Sequence, residues 1–542
     1  MTTTALPKLQ FAIQLVGPGQ LRLNAEKPVP AVGDHQILAR VECVGLCFSD
    51  LKLLKQFSAH ARKSEVVRGL PADVLAQIPS YVPNDKPTVP GHEVTCRIIA
   101  VGPKVQHHKV GERVLVQTDY RDLPTANSNS AFGYNFEGAL QEYVLMDERV
   151  VIEKGTGERY LIPVPEHLSA SAIALVEPWA CVEDSYVTLE RQAIKPGGRL
   201  LVVVEPGHRA EGLEALTAAN KPASILNADP SQVAALPNEE FDDILYFGAS
   251  ADTINILNDK LAANGIINIV LGGRRIGRPV SVGIGRIHYG MTRWIGTVGS
   301  NAAESYAVIP QTGEFRPNDK INVVGAGGPM GQMHVIRAIC AGIPGLKVIG
   351  SDMDDARLES LAKKARPLAE RLNIELRLVN TQNNPLGEKF SYIALMAPVG
   401  ALVATAIGQS LPGAIINIFA GIPAPTRHDL DLDTYIANRC FMFGTSGSSI
   451  RDMKIVLQKV VSGQLDTNCS VDAVSGMAGA ADGIAAVENR TLAGKILVYP
   501  QLHELPLTPL SEIGRQYPTV AARLRNGSWT KEAEQELLRV AG

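Results

Sequence analysis

The sequence predicts an α/β protein: a β-rich domain followed by two doubly wound parallel-sheet units. Three observations carry this. Short alternating segments fill the first 160 or so residues, apolar runs alternating with helical stretches follow from about 190, and that second pattern occurs twice.

In the first region, Ile37–Gly45 and Val94–Gly102 alternate in part at period two. Gly111–Val116 and Gly138–Val144 read as further strands, and Leu51–Pro90 is mixed, partly helical and charged. In the second, Arg199–Val204 is a continuous apolar run, as a strand buried on both faces should be. Ile321–Val324 begins another, Met330–Cys340 reads as a helix, and Lys347–Asp352 as the next strand. Three segment pairs recur in order: Lys195–Leu200 with Arg316–Ile321, Gly265–Val270 with Ala414–Phe419, and Gly296–Ser300 with Gly444–Ser448. The expected organisation is residues 1–190 as the β-rich domain (completed by about 470–500), 191–315 and 316–470 as the two parallel-sheet units, and 501–542 as a helical extension in which Thr530 caps a helix carrying Leu537 and Leu538. The strands Ile266–Val270 and Ile415–Phe419 are expected to pair within the chain as a pseudo-dimer; a homo-oligomer is the alternative.

Composition narrows the function classes. The 542 residues are 45% hydrophobic and 20% charged, with a formal net charge of −3. Nothing in that balance draws the chain to nucleic acid or an anionic membrane. No apolar run reaches the roughly 18–20 residues of a membrane span, and Met1–Pro7 lacks the apolar core of a secretory signal. Seven scattered cysteines without a CxxC pair suit reduced thiols in the cytoplasm and argue against a four-cysteine structural zinc.

The turn Val323-Val324-Gly325-Ala326-Gly327-Gly328-Pro329-Met330-Gly331 joins a strand to a helix. Gly325, Gly327 and Gly331 let backbone approach a pyrophosphate, with Gly328, Pro329 and Met330 completing the cradle at the helix start. Asp352 lies 21 residues past Gly331, where a carboxylate accepts from ribose hydroxyls and repels a 2′-phosphate; this favours NAD over NADP. The bland alternative for Asp352 is a helix cap, and Asp354 and Asp355 are expected to face solvent. The first unit has Val204-Glu205-Pro206-Gly207-His208-Arg209 in place of the glycine turn, so it is expected to be structural. Gly272–Arg278 is a phosphate-binding candidate or, more simply, a solvated loop; His107–His108 reads as a surface turn.

Before these units stand Cys47-Phe48-Ser49-Asp50, Gly91-His92-Glu93 and Glu177-Pro178. A thiolate, an imidazole and a carboxylate can hold one Zn²⁺ with a position left open. Cys47, His92, Glu93 and Glu177 are the candidate ligands, although Glu177 also suits a helix cap. A second carboxylate makes the site anionic and weakens its Lewis acidity, so Glu93 and Glu177 are not expected to bind equally tightly.

Together with Gly111-Glu112-Arg113-Val114, Glu142-Tyr143 and Gly494–Val498, these motifs resemble the zinc-dependent medium-chain dehydrogenase/reductase superfamily, on its alcohol and polyol dehydrogenase side, over residues 10–190 and 316–500. The resemblance implies a GroES-like catalytic domain interrupted by a Rossmann domain. It implies zinc held by Cys47, His92 and a glutamate, Asp50 orienting His92, and Ser49 bonding the substrate oxygen. Ser49, Lys52 and Glu93 are the candidate catalytic residues, with Zn²⁺ and NAD as cofactors. The expected reaction is hydride transfer between NAD and a secondary alcohol of a polyol, sugar or sugar phosphate. An amino-alcohol dehydrogenase acting on threonine, and a nicotinamide-binding sensor or scaffold, are the alternatives. The sequence departs from the family in lacking the structural zinc lobe, in carrying Lys52 at a position of proton-relay histidines, in the 45 residues separating Cys47 from His92, and in the additional unit at 191–315.

Overall fold

The computed structural model describes residues 6–542; the first five, which begin the segment read as lacking a signal core, lie outside the described residues. The chain forms two compact units, Met1–Ala180 with Ser448–Gly542, and Cys181–Gly447.

The first unit is built on a sheet in which Lys495–Val498, Gln36–Gly45, Glu93–Val101, Arg113–Val116 and Leu161–Pro163 lie side by side in that order. Gln36–Gly45 and Glu93–Val101 run antiparallel, with Gly45 opposite Glu93. Lys495–Val498 pairs on the other side, Leu497 opposite Gly45. Three remote segments therefore end at one place. Tyr143–Asp147 also pairs with Gln36–Gly45; this strand begins later than the Gly138 expected from alternation, because Gly138–Leu140 packs against Val89–Gly91 through loop hydrogen bonds instead. A Cβ on Gly138 would stand 2.4 Å from the Gly91 carbonyl oxygen. His108 is buried, its Nδ1 2.8 Å from Glu148, so it is not the surface residue expected. The carboxy-terminal helix Lys531–Ala541 is capped by Thr530 and buries Leu537. Its Glu534 accepts from the amides of Ala170 and Ser171 at 2.7 and 2.8 Å, at the start of the helix Ala170–Ala174.

In the second unit both Rossmann-like halves share one eleven-stranded sheet among the described residues. The first half orders its parallel strands as Ser224–Ala228, Arg199–Val204, Phe241–Phe247, Leu261–Val270 and Arg293–Thr297. The second continues as Phe441–Phe443, Ser410–Ile418, Phe390–Leu395, Lys320–Val324, Lys347–Asp352 and Glu375–Asn380, again parallel. The halves join antiparallel, Trp294 opposite Met442. The strands expected to pair, Ile266–Val270 and Ile415–Phe419, therefore do not touch as neighbours. Each half adds one further strand, and those additional strands make the junction. A second antiparallel pair, Val280–Val282 with His428–Leu430, also links equivalent segments, so a local pseudo-twofold axis relates the halves. One apolar core runs across the junction, from Leu201 and Val203 through Trp294 to Ile416 and Met442.

Candidate functional site

Cys47 is the N-cap of the helix Phe48–Gln56, extended at φ −120° and ψ 152°. Asp50 closes the cap: its Oδ2 accepts the Cys47 amide at 3.0 Å. Its Oδ1 lies 3.1 Å from His92 Nδ1. With Nδ1–H donated to Asp50, His92 turns Nε2 toward Ser49 Oγ, 3.1 Å away. Ser49 Oγ also lies 3.0 Å from Cys47 Sγ. Burial disfavours charge on His92, but Asp50 beside it outweighs burial and raises its pKa well above the ordinary imidazole value.

Because Gly45 faces Glu93 across the sheet, Cys47 two residues beyond and His92 one residue before come to the same end. Ligand atoms of Cys47, His92 and Glu93 lie within 4.8 Å of one another. Glu93 is fully buried; its Oε1 takes Lys495 Nζ at 2.5 Å, while Oε2 has no hydrogen-bond partner. A buried carboxylate oxygen left open beside a thiol and an imidazole nitrogen is a donor set that fits a zinc ion. A side chain on Gly45 would stand 2.2 Å from that oxygen, so the glycine is needed there. Glu177 is buried in the first turn of the helix Val176–Val187. Burial, with the Glu93 and Asp119 carboxylates, pushes it up to about 7 against the pull of His92 and Lys495. It thus faces the same cluster without joining the tight group. Lys52 is exposed on the same helix as Ser49, one turn on.

Sequence reasoning did not assign Lys495 or Arg62 to this site. Lys495 reaches Glu93 and the Leu46 carbonyl from more than 400 residues away in sequence. Only the pairing of the closing strand brings it there. The Tyr134 ring centroid lies 5.8 Å from that of His92.

In the second unit, Gly325 adopts φ +81°, and the amides of Gly325 and Ala326 both donate to the Ser351 carbonyl. A Cβ on Gly331 would fall 2.1 Å from the Gly325 carbonyl oxygen, and one on Gly327 2.6 Å from Arg357 Cβ. These glycines let the turn fold onto the helix Pro329–Ile339. Gly328 has open space before it, Pro329 is the first helical residue and Met330 the second. Asp352 ends its strand, and its Oδ2 accepts the Gly327 amide at 2.8 Å. Asp354 caps the next helix and, like Asp355, is exposed. The turn and acid fit a dinucleotide, since Gly328 leaves the helix start open and Asp352 keeps lone pairs beyond those it gives the backbone.

In the first half the corresponding turn is filled by its own side chains. Glu205 takes the Tyr246 hydroxyl and the Ala249 amide, Arg274 stands 2.8 Å from where a Gly207 Cβ would project, and His208 reaches the Leu271 carbonyl. Within the loop Gly272–Arg278, the amides of Ile276 and Gly277 are taken by Asp433 at 2.9 and 2.8 Å.

No disulfide joins the cysteines among the described residues, and no helix among them is long and apolar enough to cross a membrane. The alcohol dehydrogenase GroES-like domain matches residues 33–156. L-sorbose 1-phosphate reductase of Klebsiella pneumoniae is 24% identical over 343 residues, 55% of this chain and 77% of that protein. Sorbitol dehydrogenase of Bombyx mori is 33% identical over 107 residues, 20% of this chain and 25% of that protein. The crystal structure of 2R,3R-butanediol dehydrogenase from Bacillus subtilis superposes with a TM-score of 0.50 at 14% identity, covering 91% of this chain and 99% of that one. Through the GroES-like domain at residues 33–156 and these relatives, the chain is similar to alcohol and polyol dehydrogenases of the medium-chain dehydrogenase/reductase superfamily.

Proposed function

We propose that the protein is a zinc-dependent dehydrogenase transferring hydride between NAD and a secondary alcohol of a polyol, sugar or sugar phosphate. The observation that carries this is the convergence of Cys47, His92 and Glu93, with the Glu93 Oε2 atom buried and open. The names of the relatives, which act on sorbitol and sorbose 1-phosphate, support the substrate class.

Cys47, His92 and Glu93 would hold the zinc, with Glu177 beside them as the exchanging carboxylate. Bound zinc supplies the electrophile that acidifies an alcohol, and bound NAD the hydride acceptor. The chain does the rest. Asp50 holds the His92 ring with Nε2 turned toward the site. Ser49 Oγ takes the proton leaving the substrate hydroxyl, and exposed Lys52, one helical turn away, is the outer relay. Lys495 neutralises one oxygen of Glu93, so the carboxylate enters the donor set with reduced charge. Gly325, Gly327, Gly328, Pro329, Met330 and Gly331 would receive the pyrophosphate, and Asp352 the ribose.

A screen of polyols, sugar phosphates and threonine for NADH formation, run on protein carrying about one zinc per chain, tests this. Cys47→Ser should lose the metal and at least about 100-fold in turnover. Zinc-replete protein inactive on every alcohol, or a Cys47→Ser variant of full activity, would refute the reading.

A further inference from the structure

Beside the relay residue Lys52, the segment between Cys47 and His92 carries further side chains, His60 and Arg62, that the hydride-transfer chemistry does not use. His60 caps the short turn Ala61–Lys63: its Nδ1 accepts the Arg62 amide at 3.2 Å. That bond fixes the tautomer, because an acceptor Nδ1 leaves the proton on Nε2 as a donor. The His60 ring lies 5.1 Å from that of Tyr134, the same ring that stands 5.8 Å from His92. The Arg62 guanidinium sits over Tyr134, 5.6 Å from its centroid, and pairs with both oxygens of Asp119. Burial, then the Arg62 and Lys52 charges, hold His60 down to about 4, and Lys52 lies on the helix that also bears Ser49.

The turn is rigidly held. Lys63 is fully buried, and its ammonium donates to the carbonyls of Val82 and Lys86. The Ala61 carbonyl accepts from Ser64 and Thr125. Positions thus locked orient His60 and Arg62 without a further ordering cost.

We propose that His60, Arg62 and Lys52 form a phosphate subsite at the mouth of the metal centre, so that the substrate is a polyol or sugar carrying a phosphate monoester. The inventory of groups argues for an anion. Lys52, the second N–H face of Arg62 and His60 Nε2–H are all donors, and Asp119, the carboxylate among them, is already taken by Arg62. A neutral hydroxyl both gives and takes a proton bond, whereas a phosphate oxygen only takes. Tyr134 has its ring centroid 5.1 Å from that of His60 and 5.8 Å from that of His92, so an anion on His60 sits beside the residues that would face the reacting carbon. The assignment rests on the dehydrogenase reading for the position of that carbon.

The test is isothermal titration of the zinc-loaded protein with inorganic phosphate, with glycerol 3-phosphate and with glycerol, so that binding is read without turnover. Phosphate and glycerol 3-phosphate should bind saturably and glycerol should not. Arg62→Gln should weaken both at least tenfold, and Arg62→Lys less, with zinc content unchanged. Lys52→Ala provides an independent arm should the loss of the Asp119 partner disturb folding, and should weaken binding at least threefold. The proposal is overturned if neither ester nor phosphate saturates, if inorganic phosphate alone binds, or if the Arg62 and Lys52 variants bind as the parent does. Failure of the dehydrogenase reading would appear separately, as absent NADH formation in protein that still binds glycerol 3-phosphate.

Discussion

The two Rossmann-like halves follow one strand plan and differ where a cofactor would enter. In the second half, the helix after the first strand, Pro329–Ile339, buries every residue from Gly331 to Ile339. In the first half, the corresponding helix Leu213–Ala219 buries none. The second half also continues one strand further, to Glu375–Asn380. The glycine turn of the second half leaves backbone open at the helix start; in the first, Glu205, His208 and Arg274 occupy that space. The comparison teaches that a doubly wound sheet can keep its strand plan with its turn closed when its outermost strand serves another purpose. Here that purpose is the junction: the first half supplies the sheet edge onto which the second half is built, as a separate subunit could.

The junction offers the largest perturbation. Trp294 is 1% exposed, opposite Met442, and its carbonyl accepts the Tyr435 hydroxyl at 2.6 Å. Trp294→Ala should cost about 3–5 kcal/mol. Hydrogen exchange should show protection falling together in Leu261–Val270 and Ser410–Ile418; loss confined to the first half would mean the halves are energetically separate.

Acid should distinguish the halves next. His334, on the well-buried helix of the second half, is fully buried, with Nδ1 2.6 Å from the Tyr186 hydroxyl and Nε2 lacking a partner. Burial, then Arg337, pushes it down to about 3. Between that value and the ordinary 6.5 the unfolded chain binds a proton that the folded one refuses, so stability falls as pH drops. The loss amounts to roughly 3 kcal/mol between pH 6.5 and about 4. His334→Gln should flatten that slope in denaturant titrations at several pH values; an unchanged slope would show that His334 accepts its proton without penalty.

The turn itself gives the smallest expected free-energy change and the sharpest contrast. Gly331→Val should weaken NADH binding by about 100-fold, near 2.7 kcal/mol, because its Cβ would press on the Gly325 carbonyl. Gly207→Ala in the first half should leave NADH affinity unchanged. Fluorescence titration of both variants decides it, and a comparable loss in Gly207→Ala would mean that the first half also holds cofactor.

Local pattern made much of this readable beforehand. The apolar run at Arg199–Val204, the recurrence of Gly265–Val270 as Ala414–Phe419, and the spacing from Gly331 to Asp352 are properties of neighbouring residues, and short-range sterics turn them into strands and a turn. The same holds for Cys47 to Asp50, where a cap closes over four residues. His108 shows where pattern fails: adjacent histidines look solvated until Glu148, forty residues on, buries one of them.

What the amino-acid order determined alone was therefore the alphabet of the molecule: its strands, its glycine turn, its duplicated plan and its sulfur, nitrogen and oxygen donors. Tertiary structure decided the rest, because each remaining choice depends on which distant backbones hydrogen-bond. Gly45 opposite Glu93 brought Cys47 to His92, the closing strand set Lys495 against one oxygen of Glu93 and left the other open, and one additional strand in each half moved the junction outward to Trp294 and Met442.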